Sequence, residues 1–141
     1  MRNISTTDLA HRLRPVIARL ARRMRQEAGG DLTPTQTAAL ATISLHGPLT
    51  PSELATREKI QRPTATRVLA LLEERALIER TADPADRRSS LVSSSAAGES
   101  LLADVRERKD AFLAERLDQL SAEDLAALDR AAEILERVLA E

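Results

Sequence analysis

The side chains of this 141-residue chain that are suited to recognition chemistry sit at two places. One is Arg62-Pro63-Thr64-Ala65-Thr66-Arg67, and the other is Asp83-Pro84-Ala85-Asp86-Arg87-Arg88. Arginine can bond guanine bidentately, and threonine offers a hydroxyl to a base or phosphate and a methyl to thymine. Arg62, Thr64, Thr66 and Arg67 are therefore candidates for base edges in a DNA major groove. Arg87 and Arg88 stand where a turn would carry them outward, and arginine is favoured in a narrow minor groove. Ser52 and Arg57, a little upstream, suit phosphate, as does Thr50, for which a helix-capping role already suffices. A plainer reading stands beside each. Thr64 and Thr66 can be ordinary helix-start residues, Arg67 can touch phosphate alone, and the turn arginines can be exposed ion pairs worth little to stability.

Catalytic chemistry has no counterpart here. There is no Gly-x-Ser-x-Gly elbow, no phosphate-binding loop and no metal-ligand run, so no enzyme and no cofactor are expected. The serines of residues 89–95 lie at turn and cap positions. His11 and His46 are the only histidines and are far apart, and there is no cysteine, so no metal site is expected. His46, beside Gly47, is better placed to interact with a helix end.

The elements that hold the two arginine-bearing stretches follow from pattern. Pro63 is well tolerated at a helix start, and Ala65, Val68, Leu69 and Leu72 repeat at helical spacing to form one apolar face. Leu77-Ile78 and Glu79-Arg80-Thr81 read as a short strand, Asp83 to Asp86 as turn chemistry, and Ser90-Leu91-Val92-Ser93 as a returning strand. Upstream, Thr33-Pro34-Thr35-Gln36 is a capping box that opens a helix stopped by His46-Gly47-Pro48. Thr50-Pro51-Ser52-Glu53 opens a short helix ending near Glu58, and Lys59-Ile60-Gln61 is the turn into the next. A short helix, a turn, a helix with a polar and basic start, and a hairpin tipped with arginines make a winged helix-turn-helix.

Three further amphipathic helices flank that unit. The first spans roughly Thr7 to Ala28, with Thr7 or Asp8 as cap, and Pro15 implies a kink or two shorter helices meeting. The fifth runs from a Ser95 cap to about Leu120, and the sixth from a Ser121 capping box to the C-terminus. Each carries an apolar stripe. The winged unit is too small to cover all three, so a homodimer built from the two ends of the chain is the economical solution; a monomeric helical cap is the alternative. The expected organisation is an N-terminal dimerisation helix over residues 1–30, a DNA-binding domain over 31–93, and C-terminal dimerisation helices over 94–141.

Composition fits this plan. Hydrophobic residues make up 43% of the chain and aromatics 1%, with Phe112 alone, so the core must be aliphatic, as suits helices packing on helices. The net charge of −1 hides an asymmetry: residues 1–30 carry +5, residues 31–92 are balanced, and residues 93–141 carry −6. Only the face towards phosphate need be basic. Within residues 56–70, Arg57, Lys59, Arg62 and Arg67 stand against Glu58 alone; the plain reading of such an excess is a solvated face. No run is apolar enough to span a membrane, and the N-terminus lacks the apolar core of a signal peptide, so a cytoplasmic location is expected.

With these residues in view, the chain resembles the MarR family, the multiple-antibiotic-resistance regulators. The signatures are Leu32-Thr33 with Gln36, the run Leu49-Thr50-Pro51-Ser52-Glu53-Leu54-Ala55, Arg62 to Arg67, Leu77-Ile78-Glu79-Arg80, the wing Asp83 to Arg88 followed by Leu91-Val92, and Gly98. The resemblance implies a mostly α fold with a small β-wing, flanked by N- and C-terminal dimerisation helices. It also implies a dimer, a repressor in role, on a pseudo-palindromic operator of double-stranded DNA. Small aromatic or anionic effectors bind such proteins between the dimerisation helices and the winged domain and weaken DNA binding. In this chain His11 and Arg14 are the candidates to meet an anionic one. The resemblance also makes Arg88 the wing arginine that enters the minor groove, Asp86 the acid that orients it, and Arg87 a phosphate contact. Two positions depart from the family pattern: Ala76 stands where glycine is common after the recognition helix, and Ser94-Ser95 where Leu-Thr is common. If the backbone at residue 76 is left-handed, alanine costs roughly 1 kcal/mol there. Together the departures imply looser packing around the wing. A winged-helix module that binds proteins without reading DNA is the alternative function.

Overall fold

The computed structural model describes residues 3–140. In chain order these form α1 (Thr6–Ala28), α2 (Pro34–His46), α3 (Pro51–Glu58), α4 (Arg62–Glu74), β1 (Ile78–Ala82), β2 (Ser90–Ser94), α5 (Ala96–Leu117) and α6 (Ala122–Leu139). They separate into two compact units. One is Ala28–Glu107; the other combines residues up to Glu27 with those from Arg108 onward.

The first unit is built on α2, α3, α4 and the hairpin. Each helix starts where its cap dictates. Thr33 accepts from the Gln36 amide at 3.2 Å while the Gln36 side chain accepts from the Thr33 amide at 2.9 Å, closing the capping box. Thr50 accepts from the Glu53 amide at 3.1 Å. The Thr42 hydroxyl donates to the Glu58 carboxylate and ties α2 to the end of α3. Leu40, Ile43, Leu49, Leu54, Leu69, Leu72 and Val92 are fully buried, so the helical repeat and the strand register converge on one aliphatic core.

β1 and β2 pair antiparallel, with Ile78 opposite Ser94, Arg80 opposite Val92 and Ala82 opposite Ser90. Leu49 adds a bridge to Val92 through two backbone hydrogen bonds of 3.0 and 2.8 Å. The first strand begins at Ile78 rather than Leu77 because the Leu77 amide is spent closing α4, donating to the Leu72 carbonyl at 2.9 Å. The Ala76 amide donates to Glu73 at 2.9 Å. This pair of bonds is a Schellman stop, and Ala76 sits at its left-handed position with φ 57°.

The expected looseness around the wing is not found. The Ser95 hydroxyl donates to the Ala76 carbonyl at 2.6 Å and accepts from the Gly98 amide at 3.1 Å, and the Ser94 hydroxyl donates to Glu99. Hydrogen bonds stand where the family pattern places an apolar contact. Gly98 explains itself: a Cβ there would lie 2.2 Å from the Leu77 carbonyl oxygen, so α5 passes the α4–β1 junction closer than any side chain allows.

In the second unit α1 is one continuous helix through Pro15, not two. Its cap is Ser5, whose hydroxyl accepts from the Asp8 amide at 3.4 Å, rather than Thr7 or Asp8. α5 stops at Leu117, three residues before the expected Leu120, because Asp118 to Leu120 form the turn that lets Ser121 cap α6. Phe112 is the one buried residue among the described residues of this unit; the Arg116 guanidinium lies 3.5 Å from its ring centroid and that of Arg23 5.8 Å. Leu9, Leu13, Val16, Ile17 and Leu20 on α1 are exposed, as are Leu125, Leu128, Ile134 and Leu135 on α6, which buries no residue.

Candidate nucleic-acid interface

The recognition elements are set by two left-handed turns. At the end of α3, Lys59 adopts φ 54°, its amide donates to Thr56 at 3.3 Å, and the Ile60 amide donates to Ala55 at 3.1 Å. This stop turns the chain within three residues into α4, whose first residues are Arg62 and Pro63. Ala65, Val68, Leu69 and Leu72 hold α4 in the core. The opposite side of the same helix therefore faces outward.

On that outward side Arg62, Thr66 and Arg67 are exposed, while Thr64 is half-buried. The Thr66 hydroxyl donates back to the Arg62 carbonyl at 3.0 Å, which leaves its oxygen able to accept on an exposed residue. Ser52 and Arg57 are exposed on α3, and Thr50 is occupied as its cap. Among the described residues, none of the guanidinium groups of Arg57, Arg62, Arg67, Arg87 and Arg88 pairs with a carboxylate; the ion pairs are Arg23–Glu27, Arg75–Asp31 and Arg80–Glu73. Positive charge left unpaired on one unit is what contact with a polyanion requires.

The wing tip is held by its own acids. Asp83 accepts from the Ala85 amide at 2.9 Å, Asp86 accepts from the Arg88 amide at 2.9 Å, and the Ser89 amide donates to the Asp86 carbonyl at 3.1 Å. Asp86 thus meets the backbone of Arg88 and not its guanidinium. It shapes the turn and leaves the arginine side chain exposed, as is that of Arg87.

Two further groups escaped the sequence reading. Arg80 on β1 donates through Nε to the Glu73 carboxylate at 2.7 Å and through its terminal nitrogen to the Ser90 hydroxyl at 3.0 Å. Glu99 on α5 accepts hydroxyls from Ser44 on α2, at 2.6 Å, and from Ser94 on β2. The Ser44 bond, then the Ser94 bond, hold the Glu99 carboxyl below its ordinary value; desolvation opposes them, and the charge of Arg106 adds a smaller lowering. The sequence offered one weak signal for either, opposite charges at residues 73 and 80, since the partners come from different elements. His11 and Arg14 lie exposed and one helical turn apart on α1, in the other unit.

Known proteins resemble this chain in sequence and fold. The sequence model of the MarR family matches residues 32–90, the span from the start of α2 to the return strand of the wing. An HTH-type transcriptional regulator of Mycobacterium bovis is 34% identical over 132 residues, covering 93% of this chain and 92% of that protein. A solved transcriptional regulator from Pseudomonas aeruginosa is 33% identical, with a TM-score of 0.85 and coverage of 98% of this chain and 99% of that one. A solved MarR family protein from Bacillus stearothermophilus is 25% identical, with a TM-score of 0.80 and coverage of 100% and 99%. Fold, motif and relatives coincide: the chain belongs to the MarR family of DNA-binding winged helix-turn-helix transcription regulators, which are not enzymes.

Proposed function

We propose that the protein is a homodimeric repressor that binds a pseudo-palindromic operator and is released by a small aromatic or anionic effector. The observation that carries the DNA reading is the set of exposed arginines without carboxylate partners at the start of α4 and at the wing tip, within one compact unit. In this reading Arg62, Thr66 and Arg67, with Thr64 behind them, meet the major groove. Arg88 enters the minor groove, Asp86 sets its backbone, and Ser52, Arg57 and Arg87 meet phosphate.

The apolar stripes of α1 and α6 support the dimer. Fully burying a leucine or valine side chain is worth about 1.5–3 kcal/mol, and these helices leave many such side chains exposed. Residues 1–30 and 94–141 dimerise in this reading, and residues 31–93 bind DNA. His11 and Arg14 are the groups assigned to an anionic effector. The place of action is the cytoplasm; among the described residues no helix is long and apolar enough to cross a membrane.

The test is selection of bound DNA from a random pool, followed by a salt titration on the selected and unselected sequences. The expected result is enrichment of an inverted repeat with half-sites about 10 bp apart and affinity that falls steeply with salt. Binding without enrichment would reduce the protein to a nonspecific DNA binder. Absence of binding at low salt would favour a protein-interaction module. Sedimentation is expected to give twice the 15.4 kDa chain mass, and a stable monomer would overturn the dimer.

A further inference from the structure

We infer that Arg80 is a positioning residue for DNA recognition: it clasps the wing to the recognition helix and thereby sets where Arg88 enters the groove. The inference rests on the proposed role of Arg88 in the wing. Register comes first. Arg80 is opposite Val92, so both side chains leave the same face of the hairpin, and Ser90, two residues from Val92, shares it. Val92 and Ile78 are buried on that face, which is therefore the one turned to the core. An arginine there can lay its stem along apolar surface and bring its head to the edge. The head meets Glu73 in the last turn of α4 at 2.7 Å and Ser90 at the start of β2 at 3.0 Å.

One guanidinium thus links the end of the recognition helix to both strands of the wing. The side chain of Arg80 is 30% exposed and that of Glu73 47%. As an ion pair alone this would be a modest stabiliser. Its consequence lies in geometry. Ser90 begins β2 directly after the turn that carries Arg87 and Arg88, so fixing Ser90 against α4 fixes the base of that turn. The planar fork of arginine bonds two partners in set directions, which lysine cannot reproduce. Without the clasp, the hairpin base keeps its ladder and Val92, but the outer wing loses its tie to the helix that lies in the major groove. Arg88 must then be ordered at the moment of binding.

A double-mutant cycle on the full-length protein tests this, with affinity measured for the selected operator and for unselected DNA. Arg80→Ala is expected to weaken operator binding roughly tenfold and to leave binding to unselected DNA much less changed. Because Arg80 acts through Arg88, adding it to Arg88→Ala should cost nothing further, a departure from additivity of roughly tenfold. Glu73→Gln approaches the clasp from the more exposed side and keeps the result readable if Arg80→Ala folds poorly. It should show a smaller operator loss that likewise vanishes in the Arg88→Ala background. Arg80→Lys should not restore the wild-type affinity. Additive losses for Arg80 and Arg88, or equal losses on operator and unselected DNA, would overturn the clasp. If Arg88→Ala itself binds the operator normally, the wing reading fails and the clasp with it, an outcome distinct from additivity.

Discussion

Replacing Ala76 with glycine is expected to stabilise the protein. Ala76 holds φ 57° at the left-handed position that closes α4, where an L side chain costs about 1–2 kcal/mol. Both hydrogen bonds of the residue are made by its backbone. Its amide donates to Glu73 at 2.9 Å and its carbonyl accepts from Ser95 at 2.6 Å, so glycine keeps both. The methyl that is lost is exposed. Glycine also gives the unfolded chain more freedom, which offsets about 0.4–1 kcal/mol. The net gain is then about 0.5–1 kcal/mol, read as a higher urea midpoint at unchanged slope, or as a melting temperature higher by about 2–3 °C. Ala70→Gly makes the same chemical change on the exposed face of α4 with ordinary helical backbone, and should lose about 1 kcal/mol. Opposite signs for the two variants are the expected result. A loss for both, or no gain at residue 76, would refute the claim that alanine is strained there.

Gly98→Ala should destabilise by about 1–3 kcal/mol or more, since its Cβ would meet the Leu77 carbonyl at 2.2 Å and backbone must retreat; a thermal midpoint equal to wild type would count against the close approach. Arg88→Ala should weaken operator binding far more than it lowers the melting temperature, and the pair of measurements is a binding isotherm and a melt. Glu99 has a folded-state carboxyl held below its unfolded value, so its contribution is present above the unfolded value and is lost as pH falls through the folded one. Glu99→Gln should therefore flatten the acid side of the stability profile, as followed by urea midpoints at a series of pH values. An unchanged acid limb would show that the two serine hydroxyls do not favour the charged form.

Most elements are legible in the chain because their signals are local. The Thr33–Gln36 box, the Thr50 cap and Pro63 place three helix starts, and the apolar repeat of Ala65, Val68, Leu69 and Leu72 names the residues of α4 that are in fact buried. The misplacements are local conflicts decided by a neighbour. Ser5 accepts the hydrogen bond that Thr7 or Asp8 was expected to, and the cap at Ser121 takes the last turn of α5. Pro15 leaves α1 continuous, and the Arg19 side chain donates to the Pro15 carbonyl at 3.3 Å. The departure at Ser94-Ser95 differs from expectation for another reason. Loss of an apolar contact is visible in sequence, whereas the compensating Glu99 and Ala76 oxygens come from residues brought near only by folding.

The candidate site divides in the same way. Periodicity and turn chemistry alone put Thr64, Thr66 and Arg67 off the apolar face of α4, with Arg62 at its start, and Arg87 and Arg88 at a hairpin tip, because all are consequences of spacing along one element. Tertiary structure decided what those residues are free to do. It left their guanidinium groups without carboxylate partners, directed Asp86 to the Arg88 amide, half-buried Thr64, and joined Glu73, Arg80 and Ser90 through one side chain. The physical reason is range. Caps, repeats and turns depend on backbone groups a few residues apart, but pairing and burial depend on which elements share the core, and that is settled only when Val92, Leu69 and Leu40 meet.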